Sequence, residues 1–350
     1  MVALDRASIG ALDSSRLLDD ILGLPAQLED ALWRVESAGL EAQDTPGGLI
    51  VAGMGGSAIG GALASAALGD RASRPILSVR GYGLPPWTTP DTTVLCASYS
   101  GETEETLACY EAAGALGARR IVATTGGRLA ELARADGVGV IPIPGGFQPR
   151  AALAYLLVAA LEVAALCGAG PRLAAEIDVA AQALQRLVGE WGPDAPEDTL
   201  GKSLARSLHG TVPVIAGAAL TAPLAYRWKT QINENAKLPA FWGELPELDH
   251  NEIAGWGGAP GLAPFSAIFL DDCDTHPRLR ARIDLTAKEV APLSRFTEIL
   301  TTVGTSALER VCSLVLLGDL VSCYLAILAG VDPTPVVALT ELKQALAERE

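Results

Sequence analysis

The chain is short of positive charge, of aromatic rings, of histidine and of paired cysteines, and each shortage removes a class of function. Its 26 lysines and arginines stand against 41 aspartates and glutamates, a formal net charge of -15. A nucleic-acid backbone needs a basic face, so nucleic acid is excluded as the partner. A small phosphate ester is not excluded, because a few local donors can hold it. The three histidines, His209, His250 and His276, form no HxH or HxxxH pair, so the sequence points to no metal and no other cofactor. The six cysteines contain no CxxC pair and sit mostly in apolar runs, which fits free buried thiols in a reducing cytoplasm. The opening stretch MVALDRASIGALDSS lacks a basic region followed by a long apolar one and does not resemble a secretory signal. The most apolar run, 311–328, carries Asp319 in its middle and has no basic flanks, so a buried helix is expected there and no membrane span.

What is present is apolar mass: 49 % of 350 residues, enough for two domains of ordinary size. An amphipathic helix is expected over 14–38. Strand-like runs follow at 48–54, 75–80, 93–98, 120–124 and 138–143, with helical segments at 57–69, 103–117, 128–135 and 150–168. That alternation predicts a parallel sheet covered on both faces. Gly168-Ala169-Gly170-Pro171 breaks the pattern, and a linker helix is expected at 172–190. The second half repeats the logic, with strands at 212–217, 265–271 and 296–300 and helices at 221–237, 306–328 and 336–349. The segments LIVAGMGGSAIGGAL and PVIAGAALTAPLAY share a strand, a small-residue turn and a helix, which suggests duplicated halves. The expected fold class is α/β, doubly wound and flavodoxin-like, divided into 1–170 with its leading helix and 171–350 with the linker helix. Residues 239–252 mix aromatic, acidic and imidazole side chains and do not look like a plain core element, and 255–261 looks like an extended loop.

Two turns carry the chemistry. Ser98-Tyr99-Ser100-Gly101-Glu102-Thr103 lies between a strand and a helix, and so does Gly53-Met54-Gly55-Gly56-Ser57. Hydroxyls donate, free amides at a helix start point outward, and the helix dipole favours an anion, so both turns suit a phosphate group. Helix capping would account for one hydroxyl, not for three and a glycine. The first turn also fits a relaxed GxGxxA dinucleotide fingerprint, but Arg80 stands where the acidic ribose partner belongs. Arg150, after a strand and before an apolar helix, belongs at the ligand crevice. Glu234, near the end of a helix where the dipole disfavours a carboxylate, is a candidate base. His250 and Lys343 have ordinary structural readings on these grounds alone.

Taken in order, GMGGSAIGG, SYSGETEETL, ATTGGRLAE, PGGFQPRAALAYLL, NENAKLPAFWGELPELDHNEI and DPTPVVALTELK resemble the bifunctional phosphoglucose/phosphomannose isomerases, a branch of the sugar isomerase (SIS) domain family. The resemblance runs from about residue 45 to the C-terminus. It implies two SIS domains in a cytoplasmic homodimer that interconverts glucose 6-phosphate or mannose 6-phosphate with fructose 6-phosphate without a metal. It implies that Gly55, Gly56, Ser57, Ser98, Ser100 and Thr103 cradle the phosphate. By the same resemblance Arg150 steadies an enediolate and Glu234 moves the proton between C1 and C2. His250, donated across the subunit interface, opens the ring, with Lys343 as a second ring-opening or orienting group. A non-catalytic sugar-phosphate-binding regulator built on the same domains is the alternative.

Overall fold

The computed structural model describes residues 2–349. In the first half, β1 (Leu49–Ala52), β2 (Ile76–Val79), β3 (Thr93–Ala97), β4 (Arg119–Thr124) and β5 (Gly139–Pro142) form an all-parallel sheet of order β2-β1-β3-β4-β5. Every residue of β1 and β3 is buried. Central strands covered by helices on both faces have no solvent side, so they read as unbroken apolar runs. In the second half, β6 (Val212–Ala218), β7 (Phe241–Leu245), β8 (Phe265–Asp271) and β9 (Phe296–Thr301) form a parallel sheet of order β7-β6-β8-β9. Each half is thus a parallel sheet flanked by helices, as the alternation predicts.

One core joins the halves. It includes Leu49, Ile59 and Leu157 from the first and Leu224, Trp228 and Leu316 from the second. Its axis is the helix Ala307–Leu328, buried from Leu308 to Ile327. The charge in the middle of that helix is answered from the neighbouring helix Ala222–Ala236. Arg227 Nη2 donates to Asp319 Oδ2 at 2.6 Å, and Gln231 Nε2 donates to Oδ1 at 2.9 Å. Burial pushes the Asp319 carboxyl up, and the Arg227 guanidinium pulls it back.

The structure departs from the sequence-based expectations in four places. The helix expected at 14–38 is in pieces, Leu17–Leu22 and Leu24–Ser37, after a short Arg6–Gly10. Asp13 is buried and accepts the Leu17 and Leu18 amides, which starts the second piece, and Gly23 with Pro25 starts the third. Residues 241–245 form edge strand β7; Phe241 and Trp242 face outward, so the run shows no clean alternation. Residues Glu252–Gly261 are a run of 3₁₀ turns in place of an extended loop. Two amphipathic helices, Leu200–Leu208 and Pro277–Val290, stand where the sequence suggested no element. Five of the six cysteines are buried, while Cys273 is exposed.

Candidate active site

The first sheet reverses strand order between β1 and β3, which opens a crevice beyond their carboxyl ends. Ala52 pairs with Cys96, so the two hydroxyl-bearing turns leave the sheet side by side. The helix Gly56–Leu68 starts without a side-chain cap, and Gly55, at φ 51°, turns the chain into it. The Ser57 hydroxyl, at the same helix start, has no partner among the described residues. Its first-turn amides and this hydroxyl together suit an anion.

The second turn is more tightly built. Ser98 is buried, and its Oγ lies 2.8 Å from Thr103 Oγ1 and accepts the Gly101 amide at 3.1 Å. Thr103 sits at the N-cap of the helix Glu104–Ala115, yet its side chain makes no capping bond, so capping does not account for it. Ser100 is exposed and accepts only the Glu102 amide at 3.2 Å. Gly101 has φ 73°, and a Cβ there would lie 1.9 Å from the Gly126 carbonyl, so only glycine fits the turn. Ser100 is thus exposed at the turn, the Thr103 hydroxyl is held by Ser98, and Ser98 braces the turn from inside.

Arg150 lies against the first turn: a Cβ on Gly56 would sit 3.1 Å from the Pro149 carbonyl oxygen and 3.3 Å from Arg150 Cα. Its guanidinium is buried and almost fully engaged. Nε donates to Asn235 Oδ1 at 2.6 Å, and Nη2 donates to the Pro333 and Thr334 carbonyls at 2.8 and 2.9 Å. Only Nη1 is left, and it faces Glu234 Oε2 at 3.7 Å. Burial pulls Arg150 below the usual arginine value, and the Glu234 carboxylate opposes the shift. The pair is thus a held cation beside a partly exposed carboxylate, close but not hydrogen-bonded.

Sequence reasoning missed the groups that hold this pair. Asn235 receives Arg150 and donates its own amide to Ser322 at 2.9 Å. Arg227 donates to the Arg150 carbonyl at 3.2 Å while paired with Asp319. Lys237 donates to the Glu234 and Pro333 carbonyls, and burial with the nearby Arg150 lowers its amine. The usable signals were Asp319, a lone acid in an apolar run, and the Asn235 and Lys237 positions flanking Glu234.

His250 and Lys343 are not gathered with these residues within one chain. His250 closes a short 3₁₀ turn after β7, is exposed, and makes no hydrogen bond or ion pair with Arg150 or Glu234. Its neighbour Asp249 ties that turn to the helix Pro277–Val290 through Arg282 at 2.9 Å and Thr286 at 2.7 Å. Lys343 is exposed on the last helix, Val337–Ala347, beyond the Pro333 and Thr334 carbonyls that Arg150 occupies.

Comparison with known proteins places the chain among sugar-phosphate isomerases. Residues 197–346 match the family model of the bacterial phospho-glucose isomerase C-terminal SIS domain. The bifunctional phosphoglucose/phosphomannose isomerase of Caldicellulosiruptor bescii is 38 % identical over 337 residues, covering 95 % of this chain and 99 % of the relative. That of Aquifex aeolicus is 37 % identical over 300 residues, covering 85 % and 90 %. Among solved structures, a glucose-6-phosphate isomerase like protein from Thermus thermophilus superposes with a TM-score of 0.64 at 20 % identity over 98 % of this chain and 99 % of that one, a likeness of fold.

Proposed function

The chain belongs to the bifunctional phosphoglucose/phosphomannose isomerases and is a sugar-phosphate isomerase, and on that premise we propose how its residues divide the reaction. The substrates are glucose 6-phosphate or mannose 6-phosphate and fructose 6-phosphate. The phosphate sits on the amides of Gly55 and Gly56 and the hydroxyls of Ser57, Ser100 and Thr103, with Ser98 holding the second turn in shape. Glu234 takes the proton from the carbon beside the carbonyl and returns it to the neighbouring carbon, while the hydroxyl proton on the first of these carbons passes to the former carbonyl oxygen. The electron pair freed from the C–H bond forms an enediolate, whose oxygen is met by Arg150 Nη1. A positioned carboxylate supplies about 10²–10⁴-fold, and the fixed cation adds electrostatic stabilisation where charge develops. His250, from a second subunit of a homodimer, and Lys343 serve the ring oxygen. Proton transfer of this kind needs no metal, and the enzyme works in the cytoplasm.

The observation that carries the proposal is the spent guanidinium. With Nε and Nη2 of Arg150 occupied, its one free edge points to Glu234. Glu234→Gln tests it: kcat with fructose 6-phosphate should fall by about 10²–10⁴-fold while thermal stabilisation by the ligand persists. A Glu234→Gln enzyme of near-normal kcat would assign the base elsewhere. Ligand stabilisation without turnover in the unmodified protein would favour the non-catalytic regulator.

A further inference from the structure

Tyr99 lies between Ser98, which braces the second turn, and the exposed Ser100, yet phosphate binding gives its ring and hydroxyl no task. The Tyr99 main chain is fixed: its carbonyl accepts from the Thr125 amide at 3.1 Å and from Thr125 Oγ1 at 2.8 Å. Its side chain leaves the turn and crosses to the segment that carries Arg150. There the hydroxyl accepts the Phe147 amide at 2.8 Å and donates to the Pro144 carbonyl at 3.3 Å. Burial pushes the phenol up, so it stays protonated and keeps both roles.

Between its two anchored ends, Ile143 and Arg150, the segment it holds carries few anchors of its own. Ile143 to Arg150 reads I-P-G-G-F-Q-P-R, with two prolines that offer no amide and two glycines that carry no side chain. Gly146 has φ 100°. At its ends the Ile143 amide donates to the Thr124 carbonyl at 2.9 Å and the Arg150 guanidinium is held by Asn235 and the Pro333 and Thr334 carbonyls; between them Tyr155 meets the Phe147 ring at 5.7 Å. Arg150 then starts only three residues after the amide that Tyr99 receives. One side chain thus connects the turn built for the phosphate to the segment that aims the guanidinium.

We propose that Tyr99 is a positioning residue that couples occupancy of the phosphate turn to the placement of Arg150. A phosphate on Ser100 and Thr103 orders the turn, the Tyr99 hydroxyl carries that order to residues 144–147, and Arg150 Nη1 is held at its distance from Glu234. Binding energy from the remote phosphate is in this way used at the reacting carbon atoms. The inference rests on the phosphate reading of the two turns given above.

Tyr99→Phe keeps the ring and deletes the hydroxyl. Inorganic phosphate should slow amide hydrogen exchange across residues 143–150 in the unmodified protein. In Tyr99→Phe, phosphate should still raise the melting temperature but no longer slow that exchange. With fructose 6-phosphate, kcat of the variant should fall about tenfold while KM moves less than about twofold, the sign of lost orientation with binding retained. Phosphate that stabilises both proteins but leaves exchange at 143–150 unmoved in the unmodified one would overturn the coupling alone, as would a variant with unchanged kcat. Phosphate that stabilises neither protein would overturn the anion site, and the coupling with it.

Discussion

Replacing Arg150 by lysine keeps the charge and removes the fork. The native guanidinium spends Nε on Asn235 and Nη2 on two carbonyls, and turns Nη1 toward Glu234. A lysine has three donors on one tetrahedral nitrogen and cannot serve the Pro333–Thr334 carbonyls and a substrate oxygen at opposite edges of a plane. If the ammonium stays with the carbonyls, the enediolate loses its donor. Loss of one such preorganised donor costs about 10²–10³ in kcat, or about 2.7–4 kcal/mol. The fold pays as well, since hydrogen bonds from a charged group contribute about 1.5–3 kcal/mol each. With one or two of three retained by the ammonium, Arg150→Lys should lose about 2–4 kcal/mol of stability. That leaves most domains folded at 25 °C, given totals of about 5–15 kcal/mol. Turnover of fructose 6-phosphate and a urea denaturation curve on the same preparation separate the two effects. A folded Arg150→Lys enzyme within about threefold of the unmodified kcat would mean that Arg150 only braces the chain and that another group meets the oxygen.

Two further perturbations probe the groups around that pair. Burial, and then repulsion from Asp13, push the Asp20 carboxyl up to about 6. An unfolded chain releases this proton near pH 4 and the native one near 6, so the native state holds more protons between, and stability falls as pH rises through that window. Asp20→Asn should therefore stabilise at pH 7.5 and give nothing near pH 4. The shift alone would amount to about 3 kcal/mol, and half-exposure to solvent reduces this to about 1 kcal/mol, a melting gain of about 1–2 °C; an equal gain at both pH values would refute the titration argument. Asp319→Ala leaves the Arg227 guanidinium buried without its carboxylate and should cost about 3–5 kcal/mol. The double variant Arg227→Met with Asp319→Leu should recover most of that loss in chemical denaturation, and a double variant as unstable as the single one would show that packing, not the unpaired charge, sets the cost.

The parts of the fold that rest on periodicity were open to reading from residues alone. The unbroken apolar runs of β1 and β3 announce central parallel strands, and the glycine and hydroxyl turns after them announce an anion crevice. Edge strand β7 was hidden because its outward residues are Phe241 and Trp242, which break the polar-out rule on which pattern reading depends. The leading helix looked continuous from 14 to 38 because Gly23 fits a helical periodicity locally, and its later start depends on the Leu17 and Leu18 amides that Asp13 accepts, which a sequence does not place. At the site, Arg150 and Glu234 could be named from their elements, but their 3.7 Å approach is supported by Asn235 and by two carbonyls 183 and 184 positions along the chain from Arg150. Main-chain acceptors carry no residue signature, so that support was invisible until the fold brought it together.

The two halves share the geometry of one turn but not its chemistry. Aligned on their strands, Ala52-Gly53-Met54-Gly55-Gly56-Ser57 matches Ala216-Gly217-Ala218-Ala219-Leu220-Thr221. The backbone keeps the match, since Gly55 has φ 51° and Ala219 has φ 50°, a conformation an alanine holds only at a cost. The chemistry does not keep it. Where Ser57 is free, Thr221 spends its hydroxyl on the Leu270 carbonyl at 2.6 Å and on the Ala218 amide at 2.8 Å. Where β3 runs into Ser98, β8 ends at Asp271 and runs into Asp272, which are paired with Arg280 and Arg310 at 2.9 and 2.8 Å. That second turn thus offers arginine-paired carboxylates and a closed hydroxyl in place of free donors, a setting with no ready grip for a dianion. The second half's helix Ala222–Ala236 turns its last residues, Glu234 and Asn235, toward Arg150 of the first. On the proposed division of roles, one half holds the substrate's inert end and the other brings the base to its reactive end.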